Sequence, residues 1–389
     1  MGLTILETMR GIRFITLPLV MVVLLSMTAG CRQGSRGAER LAEDSSAAED
    51  LDSNLVFENL TLEQANEQGE TLWNVKAEKV VYSPDQKTAT VTNPDGELYQ
   101  DGESVYRIQA QSGEIRRDGD RIFLRGGVVA TDLKSGAILR GNQLEWQPQS
   151  DLLIVRGNVQ GTHPDFQFSA NEARASNKKR QIEVSGQINA RTLEDPTLRL
   201  QGEQIVWRVD DEKVLSNRPI QVQRVQGEQV LDQANGNQGD VNLQTRVVLL
   251  RNNAVLTLTD PPLQITGNLL QWNVNQQTLV SDQPLTVVHQ QEQIVLTADR
   301  GRMEFEPKIA YFNGNVRAVE QADQAQLTAN ALTWNVNTQQ VEAEGNVVYV
   351  QPDPPATLRG PRAVGKLKDQ TIVVSGGRVE TQIVPQEIN

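Results

Sequence analysis

Few residues in this 389-residue chain have the chemistry of a catalyst or a metal ligand. There are two histidines, His163 and His289, far apart in sequence, and one cysteine, Cys31, so neither a disulfide framework nor a multi-cysteine metal site is available. Carboxylate pairs such as Asp210-Asp211 fall in polar turns and lack the spaced acid pair of a glycosidase. No Gly-Lys-Ser/Thr phosphate loop is present, which argues against nucleotide hydrolysis. Lys178-Lys179-Arg180 is the one compact basic cluster of the body and reads as a solvated turn. With a net charge of -12 and no basic run, nucleic acid is not an expected partner. The sequence therefore predicts no enzyme, no cofactor and no metal, and attention moves to its apolar residues.

The apolar residues repeat. A large aliphatic residue, a small residue two positions on, an aliphatic three further and a Trp two after that occur as Leu139/Gly141/Leu144/Trp146, Leu200/Gly202/Ile205/Trp207, Ile265/Gly267/Leu270/Trp272 and Leu327/Ala329/Leu332/Trp334. The four Trp stand 61, 65 and 62 residues apart. Weaker copies begin at Ile108/Ala110 and at Leu296/Ala298/Met303, and Gly126, Gly157, Gly186, Gly314, Gly345 and Gly376 mark a second strand. Neighbouring glycines in that series are separated by 31, 29, 31 and 31 residues, so the unit is about 31 residues and roughly ten units fill Val56 to Val384.

Within a unit, apolar residues alternate with polar ones and short polar turns intervene, as in Leu327 to Val350. Period-two patterning with Val and Leu enrichment predicts an all-β, elongated, repeat-built fold of two-strand units with one wet and one dry face. The pattern fits both a folded-over antiparallel jelly roll and a right-handed parallel solenoid. From Arg218 to Asp240 the Gly marker is missing, so residues 226–240 read as a seam or an inserted loop between halves at 55–225 and 241–385.

At the start, Arg10 and Arg13 precede an apolar run from Phe14 to Met27, followed by Thr28-Ala29-Gly30-Cys31. Residues 1–30 read as an export signal or a membrane anchor. The position of Cys31 resembles the acylated cysteine of bacterial lipoproteins, with Thr28 where Leu is usual, so Cys31 is the expected lipid-attachment residue. Residues 31–54, rich in Ala, Ser, Glu and Asp, bury too little surface to fold and read as a flexible tether.

The aliphatic-x-small-x-x-aliphatic-x-Trp or Met strand, the polar turn and the Gly-x-Val strand together resemble the repeat of the OstA-like periplasmic lipopolysaccharide-transport family, which includes LptA, LptC and the amino-terminal domain of LptD. An exported, tethered start followed by this repeat is most like LptC, although the chain has about twice the usual number of units. The resemblance implies a β-jelly roll (β-taco) open at both ends, holding acyl chains in its dry interior. It also implies a place between an inner-membrane ABC transporter and other OstA-like jelly rolls stacked end to end. On that reading the lipid groove is lined by Leu139, Leu144, Trp146, Leu200, Ile205, Trp207, Ile265, Leu270, Trp272, Leu296, Met303, Leu327, Leu332 and Trp334. Unpaired edge strands bearing Val56, Leu60 and Trp73 at one end and Ile372, Val374 and Val379 at the other would meet the partners by β-augmentation. The competing readings are a structural or adhesive β-solenoid lipoprotein with a solid core and, less well supported by the side chains, an exported polysaccharide-cleaving β-helix.

Overall fold

The computed structural model describes residues 55–116, 121–366 and 371–383. The expected signal or anchor, the tether and Cys31 lie outside the described residues. The described residues belong to a compact body, Asn54–Asn389. Among the described residues, 28 strand segments form a single sheet. Every pairing between neighbours is antiparallel, from Val56–Ala65 on Thr71–Tyr82 to Glu380–Ile383 on Ala356–Lys366, so the fold is the jelly roll and not the parallel solenoid.

Each strand is bent, and the motif spacing explains the bend. In Ile138–Gln147 the inward residues are odd-numbered before the bend (Leu139) and even-numbered after it (Leu144, Trp146), with the register slipping between Arg140 and Gln143. The three-residue step in the motif is thus the one extra residue that keeps the apolar side chains inward while the strand crosses from one wall to the other. The partner strands bend at paired residues of positive φ, Gly157-Asn158, Gly186-Gln187, Gly314-Asn315 and Gly345-Asn346. Glycine is favoured there because a Cβ on Gly186 or Gly345 would also approach Asn171 or Asn330 at 2.6 Å. Seven strands are interrupted at the bend, so the 28 segments make 21 folded strands.

The result is a long trough with two walls, a crease where the bulges stack, and a mouth where the turns of both walls meet. Residues 226–240, expected as a seam or loop, are strand instead. Gln229–Gly236 pairs with Ile220–Gln226 on one side and Val247–Leu258 on the other, so the sheet runs through without interruption. In the following strand, Val247–Leu258, the bend is made by Asn252-Asn253, both at positive φ, because asparagine tolerates the left-handed conformation.

Candidate functional site

The trough interior is a set of straight rows set by strand register. Leu139, Leu200, Ile265, Leu296 and Leu327 share one row on the first wall, reached through pairs such as Ala190 with Leu200, Leu256 with Ile265 and Ala318 with Leu327. On the second wall, Trp146, Trp207, Trp272, Met303 and Trp334 share another, through Ile182 with Trp207, Val248 with Trp272 and Ala310 with Trp334. Leu144, Ile205, Leu270 and Leu332 lie two residues closer to the crease on that wall. All fourteen residues predicted for the groove therefore face the interior. Thirteen are buried, and Leu327 is half-buried against the core.

The interior is not equally filled. Trp146 and Trp272 are among the largest fully buried side chains, and Leu139, Leu144, Ile265, Leu270 and Met303 are buried in the same core. A cavity of about 150 Å³ opens towards the C-terminal end against Leu296, Leu327, Leu332, Trp334 and Ile372. A smaller one of about 40 Å³ lies against Phe166, Leu200, Ile205 and Trp207. The indole N–H groups of Trp73, Trp146, Trp207 and Trp334 are buried and meet no acceptor. Each such donor costs about 1–3 kcal/mol relative to one that is satisfied.

Beneath the mouth, aromatic pairs join the walls. Tyr106 packs edge-on to Trp146 with ring centroids 6.0 Å apart, Phe166 to Trp207 at 4.6 Å, and His289 lies 5.6 Å from Trp334. Burial pushes the Tyr106 hydroxyl above its ordinary pKa and the His289 imidazole below its own. His289 is thereby held neutral, with Nδ1 accepting the Glu292 backbone N–H at 3.2 Å. His163 stacks on Phe166 at 4.9 Å, so both histidines are spent on wall contacts.

Above them a row of polar contacts spans the mouth, and the sequence reading missed it. The last residue of four of the four-residue turns of the second wall, Arg180, Arg246, Lys308 and Gln339, adopts positive φ and reaches a turn or tip of the first wall. Arg180 Nη1 lies 3.8 Å from Asp132, and Arg246 Nη2 lies 3.2 Å from Glu194 while its Nη1 donates to the Pro196 carbonyl. Lys308 Nζ is 2.6 Å from Asp260, and Gln339 Nε2 donates to Glu292 at 2.6 Å. The recurrence of such turns every 31 residues, ending at 246, 277, 308 and 339, was the available signal, but the cross-wall partners of Arg246, Lys308 and Gln339 lie about fifty residues away in sequence. The Lys178-Lys179-Arg180 cluster is such a turn, with Lys178 3.4 Å from Asp101.

At the ends, Val56–Ala65 pairs only with Thr71–Tyr82, and Thr371–Ser375 and Glu380–Ile383 pair only with Ala356–Lys366 among the described residues. Val56 and Val379 are exposed, and Leu60, Ile372 and Val374 are half-buried. Trp73 is not at an edge: its strand is paired on both sides, and the indole is buried.

No three His, Cys, Asp or Glu side chains converge as a metal site among the described residues, and no helix there is long and apolar enough to cross a membrane. A folded sheet with an apolar inner face along its whole length and half-paired strands at both ends defines an OstA-like jelly roll. More particularly, the sequence matches the family described as lipopolysaccharide-assembly, LptC-related, over residues 18–194 and 286–383, and the chain belongs to that family. Among solved structures, LptH from Pseudomonas aeruginosa, the LptA-homologous periplasmic component of the lipopolysaccharide transport device, is similar at 14% identity. That alignment covers 30% of this chain and 82% of LptH, with a TM-score of 0.27. A comparison with curated proteins finds no match.

Proposed function

We propose that this chain is a membrane-tethered carrier that receives lipopolysaccharide from an inner-membrane ABC transporter and passes it along its interior towards the outer membrane. Cys31 or the preceding apolar run holds its start at the inner membrane. The observation that carries this reading is the unbroken inward apolar face, which continues in register from Val75 to Leu327 on one wall and from Ile115 to Ile372 on the other. Each buried acyl methylene contributes about 0.8 kcal/mol, so such a face retains a lipid without a polar anchor. A cavity as large as the one beside Trp334 admits a benzene-sized apolar group, and the interior fills further as the walls part. Ester or amide oxygens at the root of an acyl chain would also supply acceptors for the Trp207 and Trp334 indoles.

The complete burial of Trp146 and Trp272 favours the second reading, a structural lipoprotein with a solid core. Photo-crosslinking amino acids at Leu332, Trp334, Trp146 and the outward Thr333 decide between them in cells making lipopolysaccharide. Crosslinks to lipopolysaccharide from Leu332 and Trp334 but not Thr333 are expected. Labelling from Thr333 alone, with every inward position silent, would leave only the solid-core reading.

A further inference from the structure

We infer that Arg246 and Lys308 are exchangeable head-group sites: each gives up its carboxylate across the mouth, Glu194 or Asp260, for the phosphate of an anionic amphiphile entering the trough. This rests on the carrier reading and adds to it where the charge of the cargo is recognised.

The argument starts from an asymmetry within the two pairs. The Arg246 side chain is only 7% exposed and that of Lys308 23%, whereas the Glu194 and Asp260 side chains are each 76% exposed. The cations are therefore held beneath the rim, and the anions sit on solvated turns of the opposite wall. An ion pair whose anion is so exposed contributes little, so parting the walls at these points costs little for the carboxylate, which returns to water. For the cation the cost is different, because a largely buried guanidinium left without an anion is strongly disfavoured. Opening is thus inexpensive only when another anion arrives with the ligand. Phosphate fits this role, since it accepts the bidentate fork of Arg246 and the point charge of Lys308.

Position supports the assignment. Leu243, which lines the smaller cavity together with Trp207 and Val241, stands on the turn that ends in Arg246. An acyl chain at Trp207 would leave its polar end at that turn. Lys308 occupies the same place two repeats later, on the order of 19 Å along the sheet at about 4.8 Å per strand, so each cation serves a separate head group. The Arg180 pair is different, because Asp132 is itself largely buried and the contact is a fixed part of the fold.

The test uses the full chain and two fluorescent lipids with identical acyl chains, phosphatidic acid and uncharged diacylglycerol. The wild type should bind phosphatidic acid about ten-fold more tightly, the size of one charge-assisted contact. Arg246→Gln with Lys308→Gln should abolish that preference while diacylglycerol binding stays unchanged. Glu194→Gln with Asp260→Asn changes only exposed carboxylates, leaves the cations in place and should raise phosphatidic acid affinity several-fold. Glycerol phosphate, which has the charge but no chains, should not compete. Equal binding of both lipids by the wild type, equal loss of both in the cation variant, no gain in the carboxylate variant, or competition by glycerol phosphate would each overturn the proposal. If the wild type takes up neither lipid and Leu332 and Trp334 give no crosslinks, the carrier reading itself fails; with those crosslinks intact, only the head-group assignment does.

Discussion

Gly161 and Gly202 both stand among the small inward residues, yet the structure gives them different work. A Cβ on Gly161 would come within 2.0 Å of the Phe168 ring, whereas at Gly202 the nearest atom is the Pro219 carbonyl oxygen at 3.5 Å. Gly161→Ala must expel a buried aromatic side chain and is expected to cost about 1–3 kcal/mol. Gly202→Ala should lie within about 0.5 kcal/mol of the wild type, because ordinary contact replaces nothing. Urea unfolding of the two variants reads the difference, and equal losses would mean that the interior yields alike along its length. The repeat marked Gly202 from its spacing and passed over Gly161, since the template gives no sign that a ring from the next strand fills the space. Asn252-Asn253 escaped notice for a related reason: the bulge demands a backbone conformation, and two residue types can meet it.

At the scale of the strand, most of the fold was legible because patterning and bend are recorded in the same residues. The step from Leu139 and Gly141 to Leu144 and Trp146 gives the strand, its inward face and the place where the face changes parity. Which turn meets which across the mouth was not legible. That depends on how far one wall is displaced along the other by sheet twist, a property accumulated over several strands. The edge strands carry a prediction of their own. Ile372 and Val374 pack on a small satellite cluster with Ala329, Ala343, Val347 and Ala363, separate from the main core. Ile372→Glu with Val374→Glu should therefore detach the last strand and leave the unfolding midpoint of the body nearly unchanged. In sedimentation experiments that variant should lose association with an OstA-like jelly roll presenting its first strand. Undiminished association would place the partner elsewhere.

For the whole molecule, length is the property to be explained. Twenty spacings of about 4.8 Å between 21 strands give a sheet on the order of 95 Å long. The family match stops at residue 194 and resumes at 286, and the unmatched stretch continues the same sheet with the same bends and rows. Within it Glu194-Asp195-Pro196-Thr197-Leu198 and Thr259-Asp260-Pro261-Pro262-Leu263 occupy equivalent turns of the first wall. Deletion of residues 197–261 joins those turns in phase and removes the four folded strands between them. If the middle repeats only extend the trough, the shortened chain folds, because each strand contacts mainly its neighbours. Its denaturant m-value should then fall by about one fifth in proportion to the surface lost. Its longest dimension in solution scattering should shrink by about 19 Å. Arg246 and Asp260 leave with the deleted segment and Asp195 takes the place of Asp260 in the joined turn, so the preference for phosphatidic acid should persist through Lys308 alone, at half the binding capacity. A deleted chain that unfolds or aggregates would instead make residues 197–261 the part that holds the two flanking portions together, and their length would then serve stability before reach.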